Sequence, residues 1–332
     1  MSNLDQLRAL ADEAAASGAT LKNIQLDEQD GHLMLRVVDP GASFEVSIPA
    51  EMQLPTDKID METGVLVEDS GLEAEQHDWF TRYLRALVSE EQRAALVDLR
   101  SGIDAAGLHE DETFKGLALN NFITIDTSPA AINRALLSRH LVGTKNGPVL
   151  LPVLGAGRHS MEGATLSMSA GGSFRATGKA EGEVSIVAGR FDALHGTNTF
   201  SQLQSFRTAF SIPLALSLPE NRQLIVSRAL SDTVVAGKTM LPRTAEKDRT
   251  ITMAYTPVGM SANPAAPREV FRAALKPFNV PRVDEIWSRV KLYNNTRLFK
   301  AYVASQSLEH GELRKMLSGS LATQIETALE SI

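Results

Sequence analysis

The chain contains no cysteine. This absence excludes a disulfide framework, a cysteine-based zinc site and a thiol nucleophile. A basic excess is also missing: 33 basic residues stand against 40 acidic ones, and the net charge of −7 argues against a broad electrostatic grip on nucleic acid or on an anionic membrane. No apolar run approaches the length of a membrane span, and the N-terminus lacks a secretory signal pattern. We therefore expect a cytoplasmic protein without nucleic-acid or membrane partners.

The residues that are present favour a globular protein with both helices and strands. The 332 residues, 43% of them hydrophobic, suffice for one large or two ordinary domains. Strict alternation of helix and strand is missing, which argues against a doubly wound parallel sheet. Apolar periodicity predicts helices at 3–17, 73–106, 128–141 and from about 267 to the end, and strands at 149–153, 165–169, 173–177, 183–187, 223–228 and 250–255.

Local signals indicate where several helices begin. Ser89 and Gln92 have the spacing of a capping box, in which each side chain satisfies a backbone N–H of the other residue. Ser128 precedes Pro129, a capping serine followed by proline at the first helical position. Trp79, Tyr83 and Leu87 recur at helical spacing, which most simply places them in a core.

Two further segments are interpreted from their turn residues. The strands His32–Val38 and Ser43–Ile48 flank Asp39-Pro40-Gly41, and this pattern predicts a hairpin. The segment Pro257–Pro267 is rich in proline and small residues, which is typical of a linker.

The sequence predicts a ligand site between residues 136 and 160. Arg139 lies in the last turn of a predicted helix, the apolar strand Val149–Val153 follows, and a polar loop is predicted at Gly157–Ser160. An arginine at a helix end, together with a His-Ser loop at the end of an apolar strand, is able to hold a small charged ligand through charge-assisted hydrogen bonds.

Each of these side chains also has an ordinary interpretation. A basic residue at a helix C-terminus interacts favourably with the helix dipole, which accounts for Arg139 without a ligand. Arg158 suits a surface ion pair, and His159 suits a hydrogen-bonded loop histidine. His32 and His159 are only two histidines and have no cysteine beside them, so we expect no metal site.

Several short motifs follow one another along the chain: Gly18-Ala19, Asp30-Gly31-His32-Leu33, Ile48-Pro49, Ser138-Arg139, Val149-Leu150-Leu151-Pro152, Arg158-His159-Ser160, Gly182-Glu183, Asn198 and Asn221-Arg222. In this order, with a helical stretch between them, they resemble SET-domain proteins of the Rubisco large subunit methyltransferase class. The resemblance implies an α+β fold. A β-rich SET-like domain of the β-clip type would span 1–256, with a helical insert at about 70–142, and a helical domain would follow at 257–332.

The resemblance also implies a cofactor and a substrate class. Proteins of this family transfer a methyl group from S-adenosylmethionine to a nitrogen nucleophile, usually a lysine of a protein or peptide. The cofactor site would contain Gly31 and His32 in the cofactor turn, Arg139 at the cofactor carboxylate, and Arg158 with His159 beside the adenine.

The sequence departs from the family pattern where the chemistry would occur. His32 stands where the cofactor turn has its second glycine, and Arg158 replaces an asparagine. Val187-Ala188-Gly189 and Ser205-Phe206 stand where the family has tyrosines, so the catalytic residues stay unassigned. The chain's tyrosines are at other positions: Tyr83, Tyr255, Tyr293 and Tyr302, of which Tyr255 is one candidate replacement.

Three functions therefore stay open. The first is an S-adenosylmethionine-dependent protein lysine N-methyltransferase with several site residues missing. The second is a non-catalytic SET-like module that binds a protein or peptide. The third is a protein that holds a different small ligand in the same cleft, around Arg158.

Overall fold

The computed structural model of the chain describes residues 3–29, 32–115, 117, 125–138, 140–144, 146–187, 192–194, 208–228, 242–261 and 263–331. The chain divides into two compact units, one of residues 1–98, 126–189 and 233–237, the other of residues 99–125, 190–232 and 238–332. Both units combine helices with short strands, so the predicted α+β class is confirmed. The division at residue 256 and the insert at about 70–142 stay predictions.

The helices begin and end close to the predicted positions. Ser89 and Gln92 form the predicted capping box, since the Ser89 N–H donates to Gln92 Oε1 and the Gln92 N–H donates to Ser89 Oγ, both at 3.2 Å. Ser128 Oγ accepts from the Ala131 N–H at 3.4 Å. The helices of the described chain are α1 (Asn3–Ala16), α2 (Ala74–Leu87), α3 (Glu90–Ala105), α4 (Glu112–Lys115), α5 (Pro129–Ser138), α6 (Ala266–Leu275), α7 (Val283–Ser305) and α8 (Gly311–Glu330).

The strands of the first unit are short and mostly antiparallel. They are β1 (Thr20–Lys22), β2 (Ile24–Gln29), β3 (His32–Val37), β4 (Ser43–Ile48), β5 (Leu54–Pro55), β6 (Ile59–Asp60), β7 (Val65–Leu66), β8 (Leu141–Thr144), β9 (Gly147–Leu150), β10 (Arg158–Thr165), β11 (Ser167–Met168), β12 (Phe174–Lys179) and β13 (Ser185–Val187).

Among the described strands of this unit, the largest sheet has the order β1-β4-β12-β11. In β4 buried residues alternate with more exposed ones, as expected for a strand with one face on a core. Phe44, Val46 and Ile48 lie on the buried face, and they join a core that also contains Phe80 and Tyr83 of α2. The predicted core positions Trp79, Tyr83 and Leu87 are confirmed as buried.

The predicted hairpin between the strands at 32–38 and 43–48 is wrong. β3 pairs with β2, in the register Ile24↔Val37 to Gln29↔His32, whereas β4 pairs with β1 and β12. Only two residues of the sequence separate β2 from β3. β2 is therefore a nearer antiparallel partner for β3 than β4 is. The Asp39-Pro40-Gly41 turn therefore changes the direction of the chain between two different sheets.

The second unit is built on a four-stranded sheet in the order β15-β16-β18-β17. β16 and β18 are parallel neighbours, and the other pairs are antiparallel. Phe271 and Trp287, from α6 and α7, lie in one core with Leu224 and Ile251 of the sheet. The strands are β14 (Thr208–Phe210), β15 (Leu214–Leu218), β16 (Arg222–Ser227), β17 (Arg243–Lys247), β18 (Thr250–Ala254) and β19 (Pro257–Met260).

The predicted linker at Pro257–Pro267 is also wrong in its first part. Residues Pro257–Met260 form β19, which pairs with β14, and Val258 is fully buried. A Cβ atom on Gly259 would lie 2.6 Å from the Ala328 Cα atom, and it would also overlap the backbone of Thr327. The small residues therefore allow close packing against α8, and they do not make this segment a flexible connection.

Candidate functional site

Val153 has an unusual backbone conformation in the predicted ligand region. Its φ and ψ are 62° and −54°, and the Leu154 N–H donates to the Pro152 carbonyl at 2.6 Å. A hydrogen bond between residues i and i+2 around such a residue defines a γ-turn of the rare, strained type with positive φ. For a β-branched residue this conformation is an outlier, with a cost of about 1–3 kcal/mol. The surrounding structure must therefore hold Val153 in place.

Tyr83 of α2 holds the turn from one side. The Val153 N–H donates to the Tyr83 hydroxyl at 2.9 Å, and both residues are buried. The Tyr83 ring stacks on Trp79, with centroids 5.0 Å apart and planes inclined by 9°. The Trp79 indole N–H donates to the Leu10 carbonyl at 3.3 Å, which ties the stack to α1. A buried N–H of the strained turn is thus satisfied by a side chain that is itself fixed.

His140 packs against the turn from the chain segment that follows α5. Its carbonyl accepts from the Leu151 N–H at 2.9 Å, and its side chain is buried. A Cβ atom on Gly155 would lie 2.6 Å from the His140 Cα atom and 2.7 Å from its Cγ atom. Gly155 is therefore required by this contact. The residue before His140 is Arg139, one of the predicted ligand residues.

The chain leaves the turn as strand β10, which runs parallel to β13. Arg158 pairs with Ser185 and His159 pairs with Ile186, and after a register shift Ala164 pairs with Ile186 again. The predicted polar loop at Gly157–Ser160 is therefore wrong from residue 158 onward, because these residues have a strand partner that is distant in sequence.

Two glycines make the close approach of β10 and β13 possible. A Cβ atom on Gly157 would lie 2.6 Å from Ile186 Cδ1. A Cβ atom on Gly163 would lie 2.6 Å from the Ser185 carbonyl carbon and 2.7 Å from the Ile186 nitrogen. At Gly163 the overlapping atoms belong to the backbone, so no L-side chain fits there without a backbone shift; at Gly157 the end of the Ile186 side chain would have to move.

The segment that precedes β13 connects this region to β3. The Val37 N–H donates to the Gly182 carbonyl and the Val184 N–H donates to the Leu35 carbonyl, each at 2.8 Å. Arg36 and Glu183 form an antiparallel bridge between these bonds. β3 also contacts the 3-10 turn at Leu154–Ala156. Backbone contacts thus join β3, the turn region and β10.

The predicted cofactor residues are only partly covered by the structure. Gly31 and Arg139 lie outside the described residues. His32, Arg158 and His159 are described by their backbone alone: His32 begins β3, and the other two begin β10. The roles of all five stay predictions, although the elements that carry or adjoin them meet near Val153.

Sequence reasoning missed the part that Tyr83 plays. Helical spacing placed Tyr83 in the core, which is correct, but a buried tyrosine hydroxyl also needs a hydrogen-bond partner. That requirement could have indicated a polar contact, but not which residue supplies it, because Val153 is far away in sequence.

Comparison with solved structures finds similar chains. The structure of Rubisco LSMT bound to AdoMet is 10% identical, with a TM-score of 0.42, over 99% of this chain and 90% of that one. The SET domain of LSMT bound to lysine and AdoHcy is also 10% identical, with a TM-score of 0.40, over 98% of this chain and 90% of the other. The structural neighbours are Rubisco LSMT SET-domain structures. No protein-family model and no curated protein matches the sequence. An identity of 10% transfers neither ligand nor activity to this chain.

The ranges of the chain that the structure describes contain no group of three or more His, Cys, Asp or Glu residues that could hold a metal ion. Within the same ranges, no helix combines the length and the apolar character needed to cross a membrane.

Proposed function

We propose that this chain is a SET-like protein N-methyltransferase that binds S-adenosylmethionine and modifies a lysine of a protein or peptide. The observation that supports it is the strained turn at Val153, which leads directly into Arg158 and His159. Strain of this kind persists where the surrounding structure over-determines a conformation, and such places cluster at binding and active sites. The proposal includes a β-clip arrangement over 1–256 with an insert at about 70–142, and a helical domain at 257–332.

The residues available fit the chemistry of the cofactor. The guanidinium of Arg139 suits the cofactor carboxylate, which it would hold by charge-assisted hydrogen bonds. β10 pairs with β13 through Arg158 and His159, and in the family resemblance the backbone at His159 would contact the adenine, with Arg158 beside it. Gly31 and His32 would complete the site from the start of β3.

The reaction needs only alignment and an uncharged amine. The lone pair of a lysine amine attacks the methyl carbon, the carbon–sulfur bond breaks, and its electron pair stays on sulfur as a neutral thioether. The methylated ammonium then releases a proton to water. Because no covalent enzyme intermediate is needed, most of the rate enhancement would come from holding the two reactants in line.

Calorimetric titration with S-adenosylhomocysteine tests the proposal. Saturable binding is expected for the wild type, and Arg139→Ala should weaken it by about tenfold or more, since a charge-assisted contact contributes about 1.5–3 kcal/mol. The matched control is Arg134→Ala on the exposed face of α5, which should bind as the wild type does. Absence of binding at millimolar ligand would refute the proposal.

The second candidate is a non-catalytic module that binds a protein or peptide. It is favoured by two tyrosines that are packed in cores and do not stand where the family has its catalytic tyrosines. The Tyr83 hydroxyl accepts from the Val153 N–H. Tyr255 is buried edge-to-face on Phe210, with ring centroids 5.8 Å apart. A transfer assay with radiolabelled S-adenosylmethionine and a library of lysine peptides separates the two candidates. Cofactor binding with transfer supports the enzyme, and retained peptide capture without transfer supports the module.

A further inference from the structure

Tyr83 lies outside the predicted cofactor residues, yet it contacts the turn from which they start. Its hydroxyl oxygen accepts from the Val153 N–H at 2.9 Å, and its ring has no exposed surface. Only one atom, the hydroxyl oxygen, distinguishes this side chain from phenylalanine. The contact is therefore open to a test that leaves the packing volume almost unchanged.

The turn depends on this contact for an energetic reason. A γ-turn with positive φ at a β-branched residue is strained relative to relaxed backbone. The hydrogen bond to Tyr83 offsets that strain, because a buried N–H without a partner would destabilise the turn further. Removing the hydroxyl therefore favours other conformations at Val153, in which this N–H turns elsewhere.

The direction of the chain after the turn also depends on Val153. Gly155 packs so closely on the His140 backbone that it does not tolerate a Cβ atom, and the start of β10 is held to β13 by the pairing of Arg158 with Ser185. Because these contacts are so close, small shifts of the segment cannot compensate for a different backbone conformation at Val153. A relaxed Val153 would therefore displace the start of β10.

From these contacts we infer that Tyr83 is a positioning residue: it sets the conformation of the Val153 turn and thereby presents the backbone of Arg158 and His159 to the cofactor. This inference rests on the proposed function. It assigns a role in ligand affinity to the helical segment 74–87, through a residue that need not touch the ligand. Trp79 supports the same role, since its stack fixes the Tyr83 ring.

Tyr83→Phe, titrated with S-adenosylhomocysteine, tests the inference. If the Val153 turn keeps its binding-competent conformation in only about a tenth of the variant molecules, the apparent Kd rises about tenfold. Trp79→Phe, which weakens the stack but keeps the hydroxyl, should shift the Kd in the same direction. Tyr302→Phe is the matched control: it removes a hydroxyl from a partly buried tyrosine of the other unit and should leave the Kd unchanged.

Hydrogen exchange at residues 151–160 gives an independent readout. Faster exchange there in Tyr83→Phe than in Tyr302→Phe is expected. A wild type that binds, together with a Tyr83→Phe variant that binds equally well, overturns the inference alone. A wild type that fails to bind refutes the proposed function, and the ligand role of Tyr83 with it. Unchanged exchange at 151–160 overturns the claim that Tyr83 sets the turn.

Discussion

The carboxylate of Asp192 is fully buried and accepts two hydrogen bonds from the guanidinium of Arg228, at 3.0 and 2.6 Å. The same carboxylate accepts from the Phe210 N–H at 2.9 Å and from Gln324 Nε2 at 2.7 Å. Removing one partner of a buried, hydrogen-bonded ion pair leaves an uncompensated charge.

We therefore expect Asp192→Asn to lower the free energy of unfolding by about 3–5 kcal/mol. Chemical denaturation followed by tryptophan fluorescence measures it, because Trp287 belongs to the same unit. The control is Asp284→Asn, which affects an exposed carboxylate paired with Arg268 and Arg272 and should leave the unfolding midpoint almost unchanged. Equal effects of the two substitutions would contradict a structural role for Asp192.

Gly163 is a second position at which a substitution is expected to lower the stability of the protein. Gly163→Ala would bring a Cβ atom within 2.6 Å of the Ser185 backbone, so β10 and β13 must separate. We expect a lower melting temperature and faster hydrogen exchange at residues 185–187. Gly171→Ala is the control, since the nearest atom to its added Cβ is Ser169 Oγ, at 3.8 Å. A stable Gly163→Ala variant with unchanged exchange would show that the two strands do not approach so closely.

The hairpin between β17 and β18 should gain stability from a glycine. Asp248 and Arg249 join the strands with φ of 49° and 62°, and both are positive, as a type I′ turn requires. Arg249→Gly relieves about 1–2 kcal/mol of left-handed strain and costs about 0.5–1 kcal/mol of backbone entropy. The net gain is up to about 1.5 kcal/mol, measurable as a higher melting temperature. Lys247→Gly, at the last position of β17, should lower it instead.

Lys291 predicts a dependence of stability on pH. Its ammonium donates to the carbonyls of Val258, Ala328 and Ser331, and burial lowers its pKa below the ordinary value of 10.5. Between the lowered pKa and 10.5 the unfolded chain binds more protons than the folded chain, so the free energy of unfolding rises with pH in that window.

Lys291→Met should abolish this rise. The measurement is denaturant unfolding of wild type and variant at a series of pH values up to 10.5, with the exposed Lys300→Met on the same helix as the control. A wild-type slope that persists in Lys291→Met would assign the rise to another group. At neutral pH the variant should also be less stable, because the last carbonyls of α8 lose a donor.

Features that depend on neighbouring residues could be predicted from the sequence. The capping box of Ser89 and Gln92 and the helix start at Ser128 involve contacts over three positions, so the residue types alone indicate them. β3 has two neighbours in sequence that could pair with it, β2 and β4. The Asp39-Pro40-Gly41 turn suggested β4, whereas β3 pairs with β2. Pattern gives strand positions more readily than strand partners.

The site was predictable to a smaller extent. The apolar strand before Pro152 was visible as a pattern, whereas the hydrogen bond from Val153 to Tyr83 joins residues from distant parts of the chain. The glycines at 155, 157, 163 and 259 carry no sequence signal that separates a flexible turn from a close contact. Only the three-dimensional neighbours of each glycine, such as His140 at Gly155, give the reason for it.

The position of β4 has a consequence for synthesis of the chain. Its partner β1 is made before it, but its other partner, β12, follows only after the whole helical segment, so that edge stays unpaired while the ribosome adds those residues. A strand with a free edge and an apolar face is a template for other chains. Pairings between distant residues also form slowly. We expect aggregation of this protein to begin with nascent chains that end before residue 174, and chaperones to increase the yield of folded protein mainly at that stage.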